Sequence, residues 1–254
     1  MRIKVLASGS KGNCTFIQCG NLKFLVDIGI TCLQVKNALS QINIQIEEID
    51  AIFITHSHKD HTKGLATLLK SVKNISVCTI NEVYLDLIQT FNITNYTELD
   101  EYLNMDEVNV EVIRTSHDVP SCAYIFGYKE NELVYITDTG YLNRKFFPKI
   151  SNKQIYIIES NHDEKMLMEG PYPYILKQRI LSDKGHLSNA ATGKILKKVI
   201  GENTKYIFLA HISEHNNTKE LALDEVKKSL SDTLFNLENI IITDQYVSLD
   251  MIEV

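Results

Sequence analysis

The chain has 254 residues, 44% of them hydrophobic and 23% charged, which is the balance of a globular fold rather than of a disordered tail or a membrane bundle. Lys and Arg number 26 against 32 Asp and Glu, a net charge of −6, and this argues against a protein that coats nucleic acid by charge alone. No apolar run approaches the roughly 20 residues that a membrane helix needs.

Within that acidic total, residues 141–205 carry 12 basic against 6 acidic side chains, leaving 14 against 26 elsewhere. Such asymmetry suggests a basic face suited to a phosphate backbone, although exposed helices carry lysines anyway. Five cysteines with no C-x-x-C pair read as small core residues in a reducing compartment, and the expected location is the cytoplasm. The first residues read as a strand, not as a signal sequence.

In chain order, residues 3–7, 14–18 and 22–27 are short β-prone runs joined by turns at 8–13 and 20–21. The first turn is rich in Gly, Ser and Asn, so Ser10 and Asn13 are candidates to meet an anion, and a plain hairpin is the more ordinary reading. Val26-Asp27-Ile28-Gly29 closes a strand on an acid. A helix follows through Leu33, Val35, Leu39 and Ile42.

The apolar run 49–54 then leads into His56-Ser57-His58-Lys59-Asp60-His61, with Leu65, Leu68 and Leu69 at helical spacing behind it. Histidines on a turn between a buried strand and a helix lie where α/β sheets gather their ligands. His56 and His58 are two apart in a turning segment and can reach one ion, whereas Asp60 and His61 open a helix and diverge toward a second. Imidazole and carboxylate with no cysteine suit zinc or a similar divalent ion. A polar turn with surface histidines is the competing interpretation.

A strand at 75–80 and a helix at 82–90 follow; residues 92–106 are polar and show no period. Residues 108–113 alternate with period two and end at Thr115-Ser116-His117-Asp118, where His117 is a candidate third imidazole. A hairpin of 122–128 and 132–136 ends in Thr137-Asp138-Thr139-Gly140, and Asp138 is placed either to bridge two ions or to make a local turn. The strand 154–158 ends on Glu159. Lys184-Gly185-His186-Leu187-Ser188-Asn189 opens a helix carrying Ala190, Ile195, Leu196 and Val199. Ser188 and Asn189 can cap that helix or receive a phosphate with its N–H groups. The strand 206–210 ends on His211, a helix spans 219–230, and strands at 240–243 and 246–251 close the chain. His162 and His215 have no assigned role.

The H-x-H-x-D-H run of His56, His58, Asp60 and His61, with His117, Asp138 and His211 behind it, resembles the metallo-β-lactamase-fold hydrolases. Gly185-His186-Leu187-Ser188 and Glu214-His215-Asn216-Asn217 make it similar to the YycJ/WalJ-like exonuclease group over nearly the whole chain. The resemblance implies an α/β (α+β) fold: an αββα sandwich of two mixed β-sheets flanked by helices, with residues 1–254 forming one domain. It also implies two divalent ions, zinc first with manganese or iron admissible. His56, His58 and His117 would hold one, Asp60, His61 and His211 the other, and Asp138 would lie between them. Two such ions sharing a water bring its pKa toward neutrality.

In that group Asp27 supports the histidine loop, Asp60 orients or accepts a proton, Glu159 bonds His186, and His186 assists the leaving oxygen. The implied activity is metal-dependent phosphodiester hydrolysis, 5′-to-3′ on double-stranded DNA, with DNA favoured over RNA. The about forty residues after His211 leave no room for a glyoxalase II helical domain, and 138–186 is too short for a β-CASP insertion. An RNA-processing nuclease, a small-molecule phosphodiesterase or thioesterase on the same metals, and a non-enzymatic scaffold are the alternatives.

Overall fold

The computed structural model describes residues 1–254. The first half contributes β1 (Arg2–Ala7), β2 (Cys14–Cys19), β3 (Leu22–Val26), β4 (Ala51–Phe53), β5 (Ser76–Thr79) and β6 (Tyr96–Glu98). The rest contributes β7 (Tyr102–Met105), β8 (Val108–Arg114), β9 (Cys122–Tyr128), β10 (Asn131–Ile136), β11 (Ile155–Glu159), β12 (Tyr206–Ala210), β13 (Ile240–Ile242) and β14 (Ile252–Glu253). They make two seven-stranded mixed sheets, ordered β14-β1-β2-β3-β4-β5-β6 and β13-β12-β11-β10-β9-β8-β7.

Around them lie α1 (Cys32–Ser40), α2 (Lys59–Thr62), α3 (Leu65–Ser71), α4 (Asn81–Leu87), α5 (Phe147–Ile150), α6 (Glu164–Glu169), α7 (Tyr174–Leu181), α8 (Asn189–Val199) and α9 (Lys219–Leu230). This is the expected αββα sandwich.

Its layering follows from two-residue alternation. Along β10, Leu133 and Tyr135 enter the large core between the sheets, while Val134 and Ile136 enter a second core. β11 and β12 divide the same way: Ile155, Ile157 and Phe208 turn inward, and Tyr156, Ile158 and Leu209 face Leu196, Val199 and Val226 of α8 and α9. Strands buried on both faces read as unbroken apolar runs, which is why these segments were visible in the sequence. Phe53 of β4 joins the sheets. Its ring packs edge-on against Phe24, Tyr124 and Phe126 at 5.4, 5.5 and 4.9 Å.

Three segments differ from expectation. The polar stretch 92–106 holds β6 and β7, each at the outer edge of its sheet, where half-exposed residues blur the alternation. Residues 246–251 form no strand, because the Asp244 carboxylate accepts the N–H groups of Tyr246 and Val247 that a ladder would need. The strand follows instead at Ile252–Glu253. Between β11 and α8 the chain also makes two unforeseen helices. α7 has no buried residue, so it leaves no periodic apolar signal.

Strand direction places the chemistry. β3, β4 and β5 are mutually parallel, as are β10, β11 and β12, and β8 is antiparallel to β9, itself antiparallel to β10. The C-terminal ends of β3, β4, β8, β10, β11 and β12 deliver Asp27, the His56 loop, His117, Asp138, Glu159 and His211. Parallel strands present their C-terminal ends at one edge, where open α/β sheets build sites.

Candidate active site

The loop after β4 is held at both ends. Tyr124 Oη donates to the Ile54 carbonyl and the Cys122 amide donates to Thr55 O at 3.0 Å, tying the loop to the second sheet. On the other side Asp27 is fully buried and accepts from Thr55 N (2.8 Å), Thr55 Oγ1 (2.9 Å) and His61 Nδ1 (2.7 Å). Gly29 lets this strand end approach: a Cβ there would sit 1.5 Å from the Asp60 carbonyl oxygen.

All seven expected ligand residues come together, from four separate strand ends and the loops behind them. Four sets of side chains have ligand atoms within 4.8 Å of one another: His56, His58 and His117; Asp60, His61 and His211; His56, His61 and Asp138; and Asp138, Glu159, His186 and His211. Asp138 Oδ2 lies 3.1 Å from His61 Nε2, and its Oδ1 lies 3.3 Å from His211 Nδ1. Asp60 Oδ2 is 3.7 Å from His61 Nε2 and 3.8 Å from His211 Nε2. Asp138 therefore belongs to groups on both sides of the cluster.

The hydrogen bonding leaves one face of several rings free. His56 Nδ1 meets Thr55 Oγ1 at 3.0 Å, His117 Nδ1 meets Gly185 O at 3.3 Å, and His211 Nδ1 meets Glu159 Oε1 at 2.8 Å. The buried His56 Nε2, His211 Nε2 and Asp138 Oδ2 have no hydrogen-bond partner. Orphaned buried acceptors are costly unless something coordinates them, and an outer bond on each ring is the usual way a ligating imidazole is aimed. The donor set thus fits divalent cations.

Charge says the same. Burial, followed by the neighbouring His61, pushes His56 well below the usual histidine pKa, and burial lowers His117; both keep neutral lone pairs. Burial opposes charge on His61 and His211 too, but Asp27 and Asp138 hold the first well above its ordinary value. Asp138, Asp60 and Glu159 bring the second to about 10. Burial likewise opposes ionisation of Glu159, yet His186 and His211 pull its pKa down to about 2. The carboxylates here demand positive charge.

His186 is aimed by the same acid: its Nδ1 lies 2.7 Å from Glu159 Oε1, the oxygen that also holds His211. Glu159 Oε2 accepts the amides of Thr139 and Leu187, each at 3.1 Å. Gly185 permits the turn before His186, since a Cβ would fall 2.1 Å from Ile180 O. His186, Asp60 and Ser10 line a cleft of about 240 Å³ that opens over the cluster.

Other anion-binding expectations need correction. Asn13 is 1% exposed and turns inward, with Nδ2 3.0 Å from Gly9 O and 2.9 Å from His61 Nε2. Ser188 is the α8 cap, accepting from Ala191 N, and its hydroxyl donates to Glu164. Asn189 is buried between Ser160 and Asn217. All three side chains are committed to the fold rather than open to a phosphate. The residue-level reading also missed Asp118. Its Oδ1 lies 3.2 Å from His117 Nε2 and 3.4 Å from His58 Nε2, and its Oδ2 pairs with Arg179 of α7. Its place beside His117 was the available signal.

Comparison with known proteins agrees with this geometry. Residues 23–212 match the family model described as a beta-lactamase superfamily domain. The chain is 35% identical over 229 residues to the exodeoxyribonuclease WalJ of Streptococcus pneumoniae, covering 87% of this chain and 85% of that one. It is 33% identical over 243 residues to the exodeoxyribonuclease YycJ of Bacillus anthracis, covering 93% and 92%. In three dimensions it is similar to the metallo-beta-lactamase fold protein YhfI of Bacillus subtilis, with a TM-score of 0.73 over 98% of this chain and 99% of that one at 17% identity. No helix is long and apolar enough to cross a membrane.

Proposed function

Because the chain belongs to the beta-lactamase superfamily and is a metal-dependent hydrolase, we propose that it hydrolyses phosphodiester bonds of DNA from a chain end, 5′-to-3′ on duplex. The single observation carrying the reading is the pair of cation-demanding groups that meet at Asp138 beside His186. The 33–35% identity to two exodeoxyribonucleases over most of both chains supports DNA as the polymer.

In this reading His56, His58 and His117 would hold one divalent ion, Asp60, His61 and His211 would hold another, and Asp138 would contribute to both. When bound, the ions supply Lewis-acid polarisation and a water acidic enough to attack near neutral pH. Zinc fits the nitrogen-rich donor set, and manganese or iron are admitted by it. The chain does the rest. Asp60, with its side chain 25% exposed at the cleft, orients the attacking water and takes its proton. Glu159 commits His186 Nδ1, which leaves Nε2 to protonate the departing oxygen. Lys184 and Arg179 on the cleft wall receive neighbouring phosphates.

Incubation of the full chain with 5′-labelled duplex DNA, single-stranded DNA, RNA and bis(p-nitrophenyl) phosphate tests this. The expected outcome is release of the 5′ label from the duplex on a mononucleotide or short product with no ladder of shortened labelled strands, abolished by chelator, restored by a divalent ion, and absent in Asp60→Ala, which keeps its fold. Turnover of the small ester with all polymers intact would reject the nuclease reading in favour of a small-molecule phosphodiesterase.

A further inference from the structure

The cleft does not end at the metal-binding cluster. Past Asp60 and Asp138 its lining continues through Asn161, Ser213, Asn216 and Tyr172, with Arg179 and Lys184 on the same wall. None of these belongs to the ligand set, and they come from three places: the loop after β11, the loop after β12, and the segment carrying α6 and α7.

Asn216 is 2% exposed, yet its Oδ1 has no hydrogen-bond partner. Its backbone accounts for its burial, with its carbonyl accepting the Asp163 amide and its own N–H bonding to Ser213 Oγ. That oxygen lies against Gly170, where a Cβ would fall 3.2 Å from it, so the edge of the amide that Asn216 can offer the cleft is Nδ2. Asn161 spends Nδ2 on the His211 carbonyl at 2.9 Å, which leaves its Oδ1 for another donor. Tyr172 stands between Pro171 and Pro173, whose rings fix φ on both sides, and its ring centroid is 6.0 Å from that of His215. Arg179 is tethered by Asp118, the acid that also touches His58 and His117. An aromatic ring, an amide oxygen open to a donor, an amide N–H and two cations are the parts list for a base, its hydrogen-bonding edge and flanking phosphates.

We propose that this end of the cleft is a nucleoside subsite, holding the nucleoside attached to the scissile phosphate. Tyr172 stacks on the base, Asn161 Oδ1 accepts an N–H group or a sugar hydroxyl, Asn216 Nδ2 donates to a base carbonyl or a sugar oxygen, and Arg179 and Lys184 face the adjoining phosphates. Stacking is tolerant of base identity, so the subsite favours nucleotides as a class over other phosphodiesters. The proposal rests on the phosphodiesterase reading above and adds the residues that select the substrate.

The test compares kcat/KM of the metal-loaded full chain on thymidine 5′-(p-nitrophenyl phosphate), thymidine 3′-(p-nitrophenyl phosphate) and bis(p-nitrophenyl) phosphate, which has no nucleoside. The wild-type chain is expected to prefer one nucleoside ester over the bare ester, and the preferred isomer identifies the side on which the nucleoside lies. Tyr172→Ala should lower that preference by about 5- to 150-fold, the range of one base–aromatic stack, while Tyr172→Phe retains it. Asn216→Ala should lower it as well. Should Tyr172→Ala lose both activities together, the same ratio in Asn216→Ala decides the matter. An unaltered ratio in the alanine variants, with normal ester cleavage, overturns the subsite alone; a wild-type chain that cleaves no ester with any divalent ion overturns the hydrolase reading itself.

Discussion

Glu159 shows how much a single buried carboxylate can organise. One of its oxygens holds His186 and His211 together, at 2.7 and 2.8 Å, and the other is pinned by two backbone amides. Glu159→Gln keeps the shape but loses the charge that orients both rings. Loss of such an outer partner costs about 10- to 100-fold in metal affinity or activity, to be read from metal titration and kcat/KM in parallel. The titrations also set a pH window for the chelated protein. Glu159, at about 2, lies below the usual carboxylate range, so its contribution to stability is complete above about 4.5 and fades as pH falls through about 2. His211, at about 10, lies above the histidine range, so its contribution is complete below about 6.5 and fades as pH rises through 10. Urea midpoints of the chelated chain are therefore expected to fall as pH drops from about 4.5 toward 2, and Glu159→Gln should flatten that acid limb.

At the scale of elements, the site is built from strand ends that stop abruptly. Asp27, Asp138 and His211 each follow a strand and each adopt a left-handed backbone, with φ of 59°, 52° and 54°. This conformation costs roughly 1–2 kcal/mol for a residue with a side chain, least for Asp and Asn, and it turns the chain so that the side chain projects over the sheet edge. The turn after β3 depends on Gly29 as well. Gly29→Ala drives a methyl into the Asp60 carbonyl, and the histidine loop must retreat. The expected result is about 1–3 kcal/mol of lost stability or more, together with weakened metal binding, seen by thermal melting with and without the ion.

Taken as a molecule, the protein is two sheets that must stay in register for their edges to meet. Phe53 sits where they touch, edge-on to aromatic rings from both, one residue before the Ile54 carbonyl to which Tyr124 donates. Phe53→Ala should cost about 3–5 kcal/mol in chemical denaturation. Because the same contact supports the His56 loop, it should also weaken metal affinity, whereas a truncation in the second core, such as Val226→Ala, should lower stability and leave metal affinity intact.

Much of this was legible in the order of residues. Alternation in β8, the unbroken apolar runs of β10 through β12 and the apolar face of α8 mark their elements, because burial on one face imposes a period on sequence and burial on both imposes a run. The His56, His58, Asp60 and His61 run announces cation chemistry, because no packing role needs that density of ligands in six residues. Other parts carry no such mark. β6 and β7 are half-exposed edges, and α7 buries no side chain, so neither leaves a period to read. Ser188, Asn189 and Asn13 have the residue types of an anion site but spend their hydrogen bonds on the fold. The double hold of Glu159, the Asp118–Arg179 pair and the unpartnered Asn216 oxygen were decided by tertiary structure alone. Each depends on distances between segments about 20 to 61 residues apart, and those distances are set by how strands and helices pack, which no local pattern records.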